Sequence, residues 1–204
     1  MTKLTEITRY DESQRLFSMQ GLWALFDGDR RRFNIAHECI DRHAVPGRIA
    51  VRIAHADGRD EEIGFATIAE LSSRFAHWLE RQGVVAGDRV AIMLEPSLAF
   101  YVALFGAMKR GAIAVPLFTL FGPEGVRLRV DDCRPKLLVT SMGKSAAAAA
   151  IDGLEVVIAD AAFLETLTEF PPEYESETAP GDMAVYQYTS MSPGAVSDSY
   201  SGGN

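Results

Sequence analysis

Three short stretches of this chain bring together side chains able to do chemistry. The first is His37-Glu38-Cys39-Ile40-Asp41-Arg42-His43, which nearly matches the His-Glu-x-x-His zinc pattern, but Asp41 stands where the second His belongs. On a helix His37 pairs with Asp41 and Cys39 with His43, on different faces, so no single face offers three ligands to a catalytic zinc. The plainer reading is a surface helix with one buried cysteine. The second stretch is Gly143-Lys144-Ser145, between a strand and a helical run, like the end of a phosphate-wrapping loop. That loop needs a Gly five positions before Gly143, and Leu138 sits there, inside the strand. The third is Val185-Tyr186-Gln187-Tyr188-Thr189-Ser190, a strand-like run that opens into two hydroxyl residues after the turn Pro180-Gly181-Asp182. Hydroxyl and backbone N–H donors at a strand end can hold phosphate oxygens, which makes Thr189 and Ser190 the candidate phosphate contacts.

Other motifs are missing. There is no GxGxxG for a nicotinamide or flavin cofactor and no GxSxG nucleophile turn. The two cysteines, Cys39 and Cys133, belong to no CxxC pair, so neither a disulfide framework nor a cysteine-rich zinc site is expected.

The elements that must position these groups follow a strand–helix rhythm. Helical apolar spacing covers 12–26, with Leu16, Met19 and Trp23, and again 34–43. Ile49–Ala54 and Glu62–Ala66 read as a hairpin turning at Asp57-Gly58. Thr67 and Glu70 have capping-box spacing for a helix over 67–82, with Ile68, Leu71, Phe75, Trp78 and Leu79 on its apolar face and Gly83 as its stop. Val90–Leu94 is an apolar run of strand length. A helix over 97–110 follows, capped by Ser97 and ended by Gly111. Ile113–Leu117, Leu137–Thr140 and Val156–Ala159 are further strands, Pro123 opens a helix to about Asp132, and Ala146–Ala150 is helix-friendly. Continuous apolar runs about 20 residues apart, separated by helices, predict an α/β fold with a mostly parallel sheet buried between helices.

Charge is unevenly spread over the 204 residues. The chain carries 20 Lys and Arg against 28 Asp and Glu, a formal net charge of −8. Every Lys, Arg and His lies in 1–144, whereas 145–204 holds ten acids and no base. General nucleic-acid binding is disfavoured by that balance. Neither a membrane span nor a signal peptide is visible, so a cytoplasmic protein is expected. Residues 191–204, with four Ser, three Gly and a single charge, read as an irregular tail.

Taken in order, the motifs resemble the N-terminal part of the adenylate-forming (AMP-binding) enzymes, within them the acyl-CoA and acetyl-CoA synthetase group. The matching stretches are Phe33-Asn34-Ile35-Ala36 with Cys39-Ile40-Asp41-Arg42-His43, Thr67-Ile68-Ala69-Glu70-Leu71 and Gly87-Asp88-Arg89-Val90-Ala91-Ile92. They continue in Lys109-Arg110-Gly111-Ala112-Ile113-Ala114-Val115-Pro116-Leu117, Gly122-Pro123-Glu124 and the approach Asp182–Ser190. The resemblance implies that residues 1–190 are part of an adenylation domain and 191–204 an aberrant tail. It also implies a ligase joining a small carboxylic acid to coenzyme A with ATP and magnesium, in which Thr189 and Ser190 contact the ATP phosphates. In the family, Tyr-Thr-Ser is followed by Gly-Thr-Thr; here Met191-Ser192-Pro193-Gly194 follows. A shifted or prematurely ended reading frame would leave that pattern, and the expectation is a chain inactive by itself. Two other readings are a partner-binding domain, self-associating through an exposed sheet edge, and a small flavodoxin-like or phosphate-loop nucleotide binder using Lys144.

Overall fold

The computed structural model describes residues 4–148 and 151–188. Thr189, Ser190 and the segment 191–204 lie outside the described residues. A 3-10 turn at Leu4–Glu6 precedes α1 (Tyr10–Leu16) and α2 (Met19–Trp23). The single helix expected over 12–26 is thus two: Phe17 is extended and Ser18 caps α2, its side chain accepting from the Gly21 amide. Over 34–43, Asn34 caps a short α3 (Ile35–Cys39) by accepting from the amides of Ala36 and His37, and a 3-10 turn at Asp41–His43 follows.

The hairpin forms from β1 (Ile49–Ala54) and β2 (Asp60–Gly64), paired antiparallel. Its turn needs Gly58, whose φ of +84° is a region other residues avoid. The chain then passes straight into α4 (Phe65–Arg81), with Gly64 at the cap and no side-chain cap bond. Thr67 and Glu70 therefore do not cap this helix. The Phe65 amide donates to Arg48 O, so the helix starts two residues earlier, and Glu70 pairs with Arg74 instead. Beyond Arg81, the Gly83 amide donates to Glu80 O and the Val84 amide to Leu79 O, the paired bonds that close a helix through a left-handed glycine.

The remaining elements are β3 (Arg89–Met93), α5 (Leu98–Lys109), β4 (Ile113–Pro116), α6 (Pro123–Cys133), β5 (Leu137–Thr140), a 3-10 helix at Met142–Ala147, β6 (Glu155–Ile158) and α7 (Ala161–Thr166). The alanine run expected as a helix over 146–150 is a 3-10 end up to Ala147, and 149–150 lie outside the described residues. The four strands form a wholly parallel sheet in the order β4-β3-β5-β6. Val90, Ile92, Leu137 and Val139 point to the face covered by α4, α5 and α7. Ala91, Met93 and Leu138 point to the face covered by α6. Both faces are buried, which is why the strands read as continuous apolar runs. Among the described residues no helix is long and apolar enough to cross a membrane.

The closest helix pair is α4 with α5. At Gly106 an added Cβ would meet Phe75 Cδ1 at 2.6 Å and the backbone oxygen of Ser72 at 2.8 Å. Gly106→Ala gains about 1 kcal/mol of helix propensity but must push a backbone away. It is expected to lower stability by about 1–3 kcal/mol net, read from the urea midpoint.

At the end of α5 the Lys109 ammonium is buried, pairs with Asp41 Oδ1 at 2.6 Å and donates to Ala69 O and Ser73 Oγ, both at 2.8 Å. Burial pushes its pKa below the ordinary lysine value, while the Asp41 carboxylate opposes that shift. In the alkaline window between the folded and the ordinary value, the unfolded chain holds more protons. Stability from this group therefore rises with pH there. Asp41→Ala is expected to cost about 3 kcal/mol, and Asp41→Ala with Lys109→Met to recover most of it. Urea unfolding across pH is expected to lose the alkaline rise in the double variant.

Candidate functional site

Connections leave β3 and β5 in opposite directions, so the crevice beyond their carboxyl ends is the switch point at which open parallel sheets bind ligands. Backbone and hydroxyl bonds tie these ends together. The Leu117 amide donates to Ile92 O at 2.8 Å and Thr140 Oγ1 donates to Met93 O at 2.9 Å. The Thr119 hydroxyl, in the loop after β4, donates to the Glu95 carboxylate after β3.

The run that leads to Thr189 and Ser190 lies on the outer edge of β4. Ala114 N donates to Ala184 O and Tyr186 N to Ala114 O, both at 2.9 Å, and Val185 bridges Ala114 in parallel. Of the strand-like run expected over 185–190, the described residues form a single bridge at Val185, and 189–190 lie outside them. Alternation puts Tyr186 and Tyr188 on one side, their rings edge to face at 5.1 Å. Both hydroxyls donate to Asp132 Oδ2, Tyr188 at 2.5 Å and Tyr186 at 3.3 Å. Burial first, then the Asp132 carboxylate, raises the Tyr188 pKa above the ordinary tyrosine value, so the phenol remains a donor. A cavity of about 430 Å³ opens beside it, lined by Leu117, Phe118, Phe121, Arg129 and Gln187 among others. The Arg129 guanidinium lies 4.0 Å over the Phe121 ring and 5.6 Å from the Tyr188 ring.

The other two stretches are structural. Gly143, Lys144 and Ser145 sit in the 3-10 helix, where the amides of Lys144 and Ser145 both donate to Ser141 O at 3.0 Å. Those two N–H groups are committed to the turn and not free to wrap a phosphate. In the histidine-rich helix it is Glu38 that is buried, and Cys39 is exposed, the reverse of the one buried cysteine expected. The reason is a turn that needs an acceptor. Glu38 Oε1 takes the amides of Asp27 and Gly28 at 3.0 and 2.7 Å, and Arg42 Nη1 reaches Oε2 at 2.5 Å. Arg42 also donates to Leu25 O and pairs with Asp27, to which His37 Nε2 lies at 3.2 Å. No group of three His, Cys, Asp or Glu side chains suited to a metal exists among the described residues.

Sequence reasoning missed Arg129, Asp132 and Glu38. Tyr186 and Tyr188 at alternate positions were a visible signal; the acid that receives them, 56 positions earlier, was not.

Such a sheet, with helices on both faces, defines an open α/β domain, a class whose ligand sites lie beyond the strand ends. The AMP-binding enzyme family model matches residues 40–195, and the chain belongs to that family. It is 36% identical over 139 residues to the acetyl-coenzyme A synthetase of Bacillus subtilis (strain 168), covering 66% of this chain and 24% of that one. With the acetyl-coenzyme A synthetase of Halorhodospira halophila it shares 34% over 127 residues, covering 58% of this chain and 20% of that one. The crystal structure of Brucella canis acyl-CoA synthetase superposes with a TM-score of 0.81 at 26% identity, over 92% of this chain and 37% of that one. The chain thus spans about a quarter or less of the length of these curated relatives.

Glu38→Ala removes the acceptor of two part-buried amides and one partner of the Arg42 guanidinium. It is expected to cost about 2–4 kcal/mol by urea unfolding. His37→Ala, at a half-exposed position, is expected to cost less than about 1 kcal/mol.

Proposed function

We propose that residues 1–190 are the N-terminal part of the adenylation domain of an AMP-forming carboxylic acid–CoA ligase, with Thr189 and Ser190 as contacts to the ATP phosphates. The observation that carries this reading is the docking of 184–188 on β4. It runs parallel to β4, so Gln187 and Tyr188 reach the carboxyl end of that strand and line the cavity there with Leu117 and Phe118. Family membership and the named acetyl-CoA synthetase relatives support the reaction class. In that reaction a carboxylate attacks the α-phosphorus of ATP, giving an acyl-adenylate and pyrophosphate, and the thiol of coenzyme A then displaces AMP.

The described residues do not by themselves fit a magnesium triphosphate. They hold no assembled carboxylate set for the metal. Arg129 is stacked on Phe121, with Nη1 spent on Gly125 O. The 60 residues from 145 onward contain ten acids and no Lys or Arg, so they bring no cation to a polyanion. Met191-Ser192-Pro193 replaces the glycine and threonines that would bring backbone and hydroxyl donors to phosphate. Loss of one preorganised donor already costs roughly 10²–10³ in rate.

The 204-residue chain alone is therefore expected to show no acid-dependent exchange of labelled pyrophosphate into ATP. Clear exchange that depends on an added carboxylic acid would overturn this reading of the isolated chain.

A further inference from the structure

We propose that Asp132 is the positioning residue for the phosphate-contacting segment: by accepting the hydroxyls of Tyr186 and Tyr188 together, it fixes where and in what direction the chain leaves the sheet for Thr189. This inference rests on the functional reading above.

Asp132 stands on a fixed platform. Its helix, α6, buries Val126, Val130 and Cys133 against the sheet. The helix end is pinned to β3 by Arg89, whose Nε donates to Cys133 O at 2.7 Å and whose Nη2 donates to Arg134 O at 2.9 Å. Arg134 closes the helix in the left-handed region, φ +45°, with its amide on Val130 O. A carboxylate in the last turn of a helix works against the helix dipole, so this position is unfavourable for an acid unless something else uses the charge. Two phenol hydroxyls use it. The 2.5 Å bond from Tyr188 is a charge-assisted one, stronger than a neutral pair. A second bond from Tyr188 Oη to Arg129 O at 3.2 Å fixes the ring against the same helix. Among the described residues the segment makes two backbone bonds to β4. The tyrosine–Asp132 contacts are thus a large share of what holds its exit point. Cys133 lies close enough to share in the electrostatics of Tyr188; burial raises the pKa of its thiol, so it stays neutral there.

The test uses the intact 204-residue chain and needs no ATP chemistry. Amide exchange at Tyr186 and Ala114 reports the two bonds between the segment and β4, and alkaline titration of tyrosinate absorbance reports Tyr188. In Asp132→Ala, exchange at these two amides is expected to accelerate roughly 10- to 100-fold, with amides of β5 unchanged. The high-pH tyrosine component is expected to move toward the ordinary tyrosine range. Asp132→Asn keeps an acceptor oxygen and is expected to recover part of both effects. Tyr188→Phe is expected to delete the high-pH component and to accelerate the same two amides. If Asp132→Ala does not fold, the Asn and Phe variants carry the test. Unchanged exchange and titration would overturn the proposal, and so would equal acceleration in β5, which would make Asp132 a general stabiliser. Failure here leaves the ligase reading standing, and pyrophosphate exchange by the isolated chain leaves this one standing.

Discussion

Lys109 places a charged ammonium inside the protein, 1% exposed, where it joins three parts of the chain. It ends α5, takes Asp41 from the N-terminal region as its counter-ion and reaches Ala69 O and Ser73 Oγ on α4. Charge burial on this scale is costly unless every donor is met, and here all three donors have acceptors. The consequence is geometric more than energetic. With Gly106 allowing α4 and α5 to touch, Lys109 sets how far α5 can slide. The turn after it then fixes the start of β4: Gly111 closes the helix and the Ile113 amide donates to Asp88 O at 2.7 Å. The register of β4 in turn places Ala114, the anchor for 184–188. The ion pair of Lys109 with Asp41 is thus linked through α5 and β4 to the place where 184–188 docks.

The two ends of the sheet differ in character. The N-terminal end carries the closed networks: Glu38 with Arg42, Asp27 and two amides, and Asn34, whose Nδ2 donates to Met108 O, while the Phe33 amide donates to Thr178 O and the Thr178 hydroxyl donates back to Phe33 O. The carboxyl end carries unfinished ones. Exposed Phe118 lines a cavity, Leu120 beyond it is exposed too, and Arg129 has a buried Nε with no hydrogen-bond partner among the described residues. Satisfied groups mark scaffold, and unsatisfied ones mark the place where something else is brought in. That contrast agrees with a chain that covers 37% of the Brucella canis acyl-CoA synthetase structure.

Much of the fold could be read from the residues, because its signals are local. Val90–Met93 and Leu137–Thr140 are apolar on both faces, so a parallel sheet followed from composition alone. Ser97, Gly83 and Gly111 act at the helix ends where their chemistry suggests. Misreadings arose where a distant contact outweighed a local preference. Thr67 has the chemistry of a cap but lost that place to the bond from the Phe65 amide to Arg48 O. A buried cysteine was expected in a surface helix, but the turn at Asp27-Gly28 requires an acceptor and Glu38 is the buried residue. At the site, the alternation of Tyr186 and Tyr188 was legible, whereas Asp132 was not, since nothing in α6 itself announces two tyrosines arriving from 54 and 56 positions away.

The described residues form a parallel sheet with both faces covered, and the proposal above is that they hold no magnesium triphosphate by themselves. Native-state amide exchange, run with and without millimolar magnesium ATP, addresses both halves in one experiment. The account predicts strong protection across β3, β4 and β5 and at the Tyr186 amide, with no change on adding the nucleotide. New protection at Leu117, Thr119 or Ser141 on adding magnesium ATP would contradict it, because those residues stand at the carboxyl ends where a bound triphosphate would rest.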